Sequence, residues 1–151
     1  MKRIIYTNKN GLLIVITPCS EKLTIEQVAE FDVPAGTPFK IIDYSDIPTS
    51  RVFREAWYAD LSNYTKIEID MVIARQIVQD EVRLLRDPKL QELDIEYMRA
   101  SEFQDSATMA EVAAKKQLLR DLPASPAIQE ATTPEELEHL ARNSVKEATG
   151  E

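Results

Sequence analysis

The sequence RDPKLQELDIEYMRASE, which occupies residues 86–102, contains the clearest helix start signal in the chain. Asp87 can cap a helix, and Pro88 can take the first helical position, where its missing N–H has no partner to lose. Leu90 and Leu93 follow at the spacing of one helix face, with polar residues between them. The stretch therefore predicts a helix that begins at Pro88 and ends near residue 103.

The rest of the second half has the same helical periodicity. The pattern predicts helices over about 71–86, 88–103, 107–121 and 134–146, followed by a frayed tail at 148–151. The first of these helices is apolar over almost half of its circumference, which is wider than one packing contact needs. We therefore expect an oligomer or an obligate partner for this half.

The first 70 residues carry signals for strands and short helices. Asn10-Gly11 lies between two β-branched runs and predicts a β-hairpin, because both residues tolerate positive φ. A capping box at residues 24–27 predicts a short helix that ends near residue 31. Strands are expected at 39–44 and 66–70. Residues 51–60 are expected to be helical, because Phe53, Ala56 and Trp57 have i, i+3, i+4 spacing.

These patterns predict an α+β fold. A small unit with a β-hairpin, a sheet and short helices would occupy residues 1–70, and a helical hairpin-like half would occupy residues 71–147. An internal repeat or low-complexity tract is not visible in the sequence.

Charge excludes some classes of partner. The chain has 151 residues with 18 Lys and Arg, 26 Asp and Glu, and a net charge of −8. A broad nucleic-acid-binding surface needs clustered cations, so no nucleic acid is expected as a partner. No apolar run approaches the length of a membrane span, so no membrane partner is expected either. The single cysteine, Cys19, fits a reducing compartment.

Two groups of side chains are candidates for metal chemistry. Glu135 and His139 are one helical turn apart, but zinc sites usually need more His or Cys ligands. The second group consists of four carboxylates that could meet at strand ends and hold Mg²⁺, namely Asp43, Asp46, Glu68 and Asp70. Helix capping and solvent exposure account for both groups more simply. No Gly-rich phosphate loop and no Gly-x-Ser-x-Gly motif is present. We therefore predict no catalytic, metal or cofactor site and no enzyme activity.

Tyr58 is a candidate for partner binding. Aromatic and Arg side chains dominate interface hot spots, and three aromatic residues lie close together here. Phe53 and Trp57 share the apolar face and are expected in the core, whereas Tyr58 lies off that face.

The second half resembles small bacteriophage proteins of the tail assembly chaperone type. The resemblance rests on Arg86-Asp87, Leu90 and Leu93-Asp94, and on the block KQLLRDLP at residues 116–123. Ile95 stands where family members often have Trp. The first half, from Met1 to Trp57, resembles small uncharacterised phage and prophage proteins.

The resemblance implies a non-enzymatic assembly factor that binds a phage tail or tail-fibre protein in the host cytoplasm. The alternatives are a permanent virion subunit at the tail or the head–tail junction and, ranked below both, a metal-dependent enzyme. A homo-oligomer is also compatible with the sequence. The charged pairs 86–87 and 120–121 have a structural alternative, in which they tie the two helices together. The predicted partner-binding residues are Tyr58, Arg86, Asp87, Leu90, Leu93, Asp94, Arg120 and Asp121.

Overall fold

The computed structural model describes residues 1–19 and 22–150. The chain divides into two compact units, of which the first is Met1–Asp70 and the second begins at Met71. The first unit contains a small antiparallel sheet and the second is helical, so the predicted α+β class is confirmed.

The sheet of the first unit contains three antiparallel strands in the order β2–β1–β3. Their bounds are Lys2–Thr7 for β1, Leu13–Ile16 for β2 and Phe39–Asp43 for β3. The predicted hairpin joins β1 to β2. In its turn, the Asn8 carbonyl accepts the Gly11 N–H at 3.0 Å, and Gly11 has a φ of 79°. Glycine is suited to this position because it has no Cβ to oppose a left-handed conformation.

Helix α1, Ile25–Asp32, begins with the predicted capping box. The Thr24 hydroxyl accepts the Gln27 N–H at 3.3 Å, and the Gln27 side chain accepts the Thr24 N–H at 2.9 Å. Two donors that the helix cannot satisfy internally are therefore bonded.

Both faces of the sheet are covered. Successive residues of a strand point to opposite faces, and the neighbours Ile4 and Ile5 of β1 are both fully buried. Ile4 packs in a cluster with Val28 and Ala29 of α1. Ile5 belongs to a second cluster, which also contains Leu13, Ile42, Ile47, Trp57 and Ile67.

The helix predicted over 51–60 is wrong. This segment forms one 3-10 turn at Arg54–Ala56, followed by strand β4, Trp57–Tyr58. Strand β4 pairs antiparallel with β5, Glu68–Ile69, which is the observed part of the strand predicted over 66–70. Phe53 and Trp57 are buried, as predicted, although not on one face of a helix. The backbone nevertheless adopts a strand, because tertiary pairing can override local helix propensity.

The second unit begins with a long helix, α2, which spans Met71–Glu102 without interruption. The two helices predicted at 71–86 and 88–103 are therefore one, and Pro88 lies in its interior. Proline cannot donate to the carbonyl of Leu84, four residues earlier. Leu84 and Pro88 are both exposed, so water can reach this side of the helix and bond the carbonyl.

A tight connection joins α2 to α3, Ser106–Asp121. Gln104 has a φ of 55°, its N–H donates to Ser101, and the Asp105 N–H donates to Ala100 at 2.9 Å. These two bonds form a Schellman motif. The Asp105 carboxylate then caps α3 by accepting the Thr108 N–H at 3.1 Å.

The chain ends with a short helix α4, Pro126–Glu130, and with α5, Pro134–Thr149. The prediction of a frayed tail at 148–151 is wrong for residues 148 and 149, which are helical. The Thr149 hydroxyl donates to the Val145 and Lys146 carbonyls, and Gly150 closes the helix with a φ of 77°.

Helix α2 packs against α3, α4 and α5, and α3 also packs against α5. All four helices contribute apolar side chains to the core of this unit. These side chains are Ala74, Val78, Val82, Leu93, Ala100, Val112, Leu119, Ile128, Leu137, Ala141 and Val145. Among residues 1–19 and 22–150, no helix is long and apolar enough to cross a lipid bilayer.

Candidate interaction surface

Tyr58 lies on β4, and its side chain is 48% exposed. Its hydroxyl donates to Glu68 Oε2 at 2.6 Å, because the two residues face each other across the β4–β5 pair. This hydrogen bond raises the pKa of Tyr58 and lowers the pKa of Glu68. The predicted interface tyrosine is therefore exposed and held in one orientation by its cross-strand neighbour.

Arg86 and Asp87 bind each other within α2. Arg86 Nε lies 3.0 Å from Asp87 Oδ1, and a terminal guanidinium nitrogen lies 2.9 Å from the same oxygen. The Arg86 side chain is 19% exposed and the Asp87 side chain is 59% exposed. The structural alternative, in which this pair ties two helices together, does not hold, because Arg86 binds the neighbouring residue of its own helix.

Arg120 and Asp121 do not tie the helices either. The Asp121 carboxylate accepts two hydrogen bonds from Gln117 of the same helix, at 3.0 and 3.1 Å. Arg120 is exposed, and within the described ranges its side chain has no hydrogen bond or ion pair.

The ion pair between α2 and α3 involves a residue that the sequence did not single out as a site. The ammonium of Lys116 contacts the Asp94 carboxylate and lies 5.3 Å from the centre of the Tyr97 ring. The Lys116 side chain is only 15% exposed. A lysine within the apolar face of α3 was the available signal, because a buried cation needs a carboxylate or a ring nearby.

The two predicted leucines differ in role. Leu93 is buried and belongs to the core, whereas Leu90 is half-buried. Neither is the most exposed apolar side chain of α2, so the apolar surface available to a partner lies elsewhere on this helix.

One such surface is a row of four exposed apolar residues, which we call the α2 seam: Leu84, Pro88, Ile95 and Met98. Three of them are 68%, 48% and 57% exposed, for Leu84, Ile95 and Met98 respectively. With Gln91 in its middle, the seam has the alternating four- and three-residue spacing of a coiled-coil contact. At 100° per residue it lies on the side of α2 opposite to the buried row.

Carboxylates flank the α2 seam. Asp87, Glu92 and Asp94 occupy the positions beside it, and their side chains are 59%, 68% and 54% exposed. Each contacts a cation that is less exposed than itself. These cations are Arg86 at 19%, Lys89 at 29% and Lys116 at 15%. The seam therefore presents carboxylate oxygens along its edges, with the cations behind them.

Neither of the two groups that the sequence offered as metal ligands forms a metal site in the part of the chain that the structure describes. Asp43 bonds to Lys2 at 2.8 Å, which lowers its pKa, and Glu68 bonds to Tyr58. His139 and Glu135 lie along a groove of about 590 Å³ beside α4 and α5. Across residues 1–19 and 22–150, no group of three or more His, Cys, Asp and Glu side chains is placed to hold a metal ion.

No protein-family model matches the chain, and neither a curated protein nor a solved structure is detectably similar to it.

Proposed function

We propose that this chain is a non-enzymatic bacteriophage assembly factor that binds a tail or tail-fibre protein through helix α2. The observation that carries the proposal is the exposed α2 seam. The proposed binding takes place in the host cytoplasm during assembly.

The spacing of the seam supports a helix as the partner element. An amphipathic helix is recognised through apolar anchors at three- and four-residue spacing. The seam has that spacing when the polar Gln91 is included, and its apolar members Leu84, Ile95 and Met98 share one helix face. Several exposed apolar side chains on one helix face are also more than singly scattered surface hydrophobics.

The charge beside the seam favours a different protein as the binding partner rather than a second copy of this chain. In a parallel pair of two copies, Asp87 of one helix would face Glu92 of the other, and like charges in these positions oppose pairing. A partner helix with Lys or Arg beside its apolar row would instead meet carboxylates of opposite charge, which favours the correct partner and speeds association.

The sequence resemblance supports the choice of a phage tail component. Asp87 and Asp94 of the first resembling block lie along the edge of the seam. Two residues that carry the resemblance are therefore also two of the carboxylates beside the seam.

The first experiment is mass spectrometry of purified phage particles and of the lysate from infected cells that express this chain. Abundance in the lysate with absence from particles is expected for a transient assembly factor. Stoichiometric presence in particles would replace this proposal with a permanent virion subunit.

The second experiment is cross-linking in the same lysate with the double variant Leu84→Gln/Ile95→Gln. We expect the cross-linked tail or tail-fibre protein to be lost. The control is Phe31→Gln, which changes a residue that is 73% exposed on α1. Equal cross-linking by both variants, or a cross-link only to a second copy of this chain, would contradict the proposal.

A further inference from the structure

The first unit contains a cavity of about 240 Å³ that is lined by three arginines and two aromatic rings. The lining includes Arg3, Arg51 and Arg54 together with Tyr44 and Trp57. Such a concentration of positive charge is unexpected in a chain with a net charge of −8.

Arg3 is buried without an anion. Its side chain comes from β1, on the same sheet face as Ile5, and the residue is 7% exposed. One guanidinium nitrogen donates to the Lys2 carbonyl at 2.9 Å, and the group lies 5.1 Å from the centre of the Tyr44 ring. None of the described carboxylates pairs with Arg3, and the nearby Asp43 is bonded to Lys2. A buried cation in this state is costly unless an anion reaches it.

Trp57 lines the same cavity and has a buried donor without a partner in the described part of the chain. The residue is 3% exposed, and its indole Nε1 has no hydrogen-bond partner among the described residues. Buried donors are nearly always bonded, so an unpaired donor on a cavity-lining residue is unusual.

Arg51 and Arg54 complete the cationic wall from the exposed side. They are three residues apart, and the Arg54 N–H donates to the Arg51 carbonyl at 3.2 Å, which fixes the local turn. In the described ranges neither guanidinium has an ion pair, so both are available to a ligand.

We infer that this cavity binds a small oxyanion of the phosphate class, either inorganic phosphate or the phosphate group of a small ester. Guanidinium groups present paired N–H donors that match phosphate oxygens and remain charged at all relevant pH values. The phosphate oxygens would bond to the three guanidinium groups. The volume is large enough for a phosphate group with a small substituent. This site is in the first unit and does not depend on the proposed role of helix α2.

The test uses the fluorescence of Trp57, which is the only tryptophan of the chain. The full chain is titrated with inorganic phosphate at constant ionic strength, so that screening does not change. We expect a saturable change with one site per chain. Arg51→Gln and Arg54→Gln should each weaken binding at least about tenfold, as expected for the loss of one charge-assisted contact.

Arg99→Gln is the matched control, because it removes an exposed arginine from the other unit. It should bind phosphate as the unchanged chain does. Either of two results would overturn the inference. One is the absence of a saturable change up to about 10 mM phosphate, because a dissociation constant above that concentration would be too weak for specific binding. The other is equal affinity in Arg51→Gln, Arg54→Gln and the unchanged chain.

A second measurement examines the buried arginine. Phosphate should raise the melting temperature of the unchanged chain but not that of Arg3→Met, in which the unpaired buried charge is absent. An equal rise in both proteins would contradict a role for Arg3.

Two further ligands identify the source of the anion. Tighter binding of phenyl phosphate than of inorganic phosphate would support an ester ligand, and the reverse order would support free phosphate. Tighter binding of acetate than of either would overturn the phosphate assignment.

Discussion

The ammonium of Lys116 in α3 contacts the carboxylate of Asp94 in α2, which joins the two helices through a largely buried side chain. The same ammonium lies over the Tyr97 ring. A cation on the apolar face of α3 is tolerated because the facing helix supplies both a carboxylate and an aromatic face. The aliphatic part of Lys116 can at the same time cover apolar surface.

We expect Lys116→Ala to lower the unfolding free energy by about 1–2 kcal/mol, because it removes packing as well as charge. Asp94→Asn should cost less than about 1 kcal/mol, since the Asp94 side chain is 54% exposed and its ion pair is partly screened. Urea unfolding of both variants measures the difference. Equal losses would show that the ion pair, not the packing, provides the contribution of Lys116.

Pro88→Ala should stabilise the second unit by about 1–3 kcal/mol. Proline in a helix interior costs about 3 kcal/mol relative to alanine, and the exposed position allows part of that cost to be relieved by water. If a new helix began at Pro88, the substitution would bring no gain, because the first helical position needs no N–H donor. The midpoint of urea unfolding distinguishes the two arrangements.

Gln104→Gly should raise stability by up to about 1 kcal/mol. Gln104 has a φ of 55°, which an L side chain opposes and glycine does not. Ser101→Gly, in the last turn of the same helix, is the control and should be destabilising, because glycine is a poor residue in a helix interior. A loss of stability in both variants would contradict the Schellman geometry of this connection.

Glu136 should make the stability of the second unit depend on pH. The N–H groups of Thr132 and Thr133 donate to its carboxylate, and these bonds lower its pKa from the ordinary value of 4.5. The stabilisation is therefore fully present above that ordinary value and is lost as the pH falls through the lower folded value.

Urea unfolding of the unchanged chain and of Glu136→Gln, from about pH 7 to about pH 3, tests this pH dependence. The difference between the two proteins should be constant at high pH and should shrink below the ordinary glutamate pKa. A difference that is independent of pH would contradict the assignment.

Substitutions in the α2 seam should leave the unfolding free energy nearly unchanged. Leu84→Ala changes a side chain that is 68% exposed and should alter the unfolding free energy by no more than about 0.5 kcal/mol. Leu137→Ala changes a leucine that is fully buried and should cost about 2–5 kcal/mol. Thermal melts of both variants make the comparison. A large loss for Leu84→Ala would place the seam in the core rather than on a binding surface.

Parts of the candidate surface could be predicted from the sequence. The partner-binding residues chosen from the resembling blocks lie on α2 and α3, and Asp87 and Asp94 edge the seam. The seam itself was not predicted, because Leu84 and Leu93 are equally apolar in the sequence. Only the positions of α3, α4 and α5 determine that Leu93 is buried and Leu84 is exposed.

The sequence by itself determined the features that depend on neighbours within about four residues. The hairpin turn at Gly11 and the caps at Thr24 and Thr133 form bonds that short segments can make alone. Their donors and acceptors are adjacent in the chain, so residue type and spacing are sufficient to predict them.

The tertiary structure decided the features that join distant residues. Trp57 pairs with Ile69 in a strand, although its local sequence predicts a helix. Pro88 is exposed inside one continuous helix, although the local signals predict two helices. The fold also places Lys116 in contact with Asp94, and it places Arg3 and Arg54 in the lining of one cavity. Each of these outcomes depends on burial and on contacts between segments far apart in sequence. Local propensity, which amounts to at most about 1 kcal/mol for most residues, is too small to decide them.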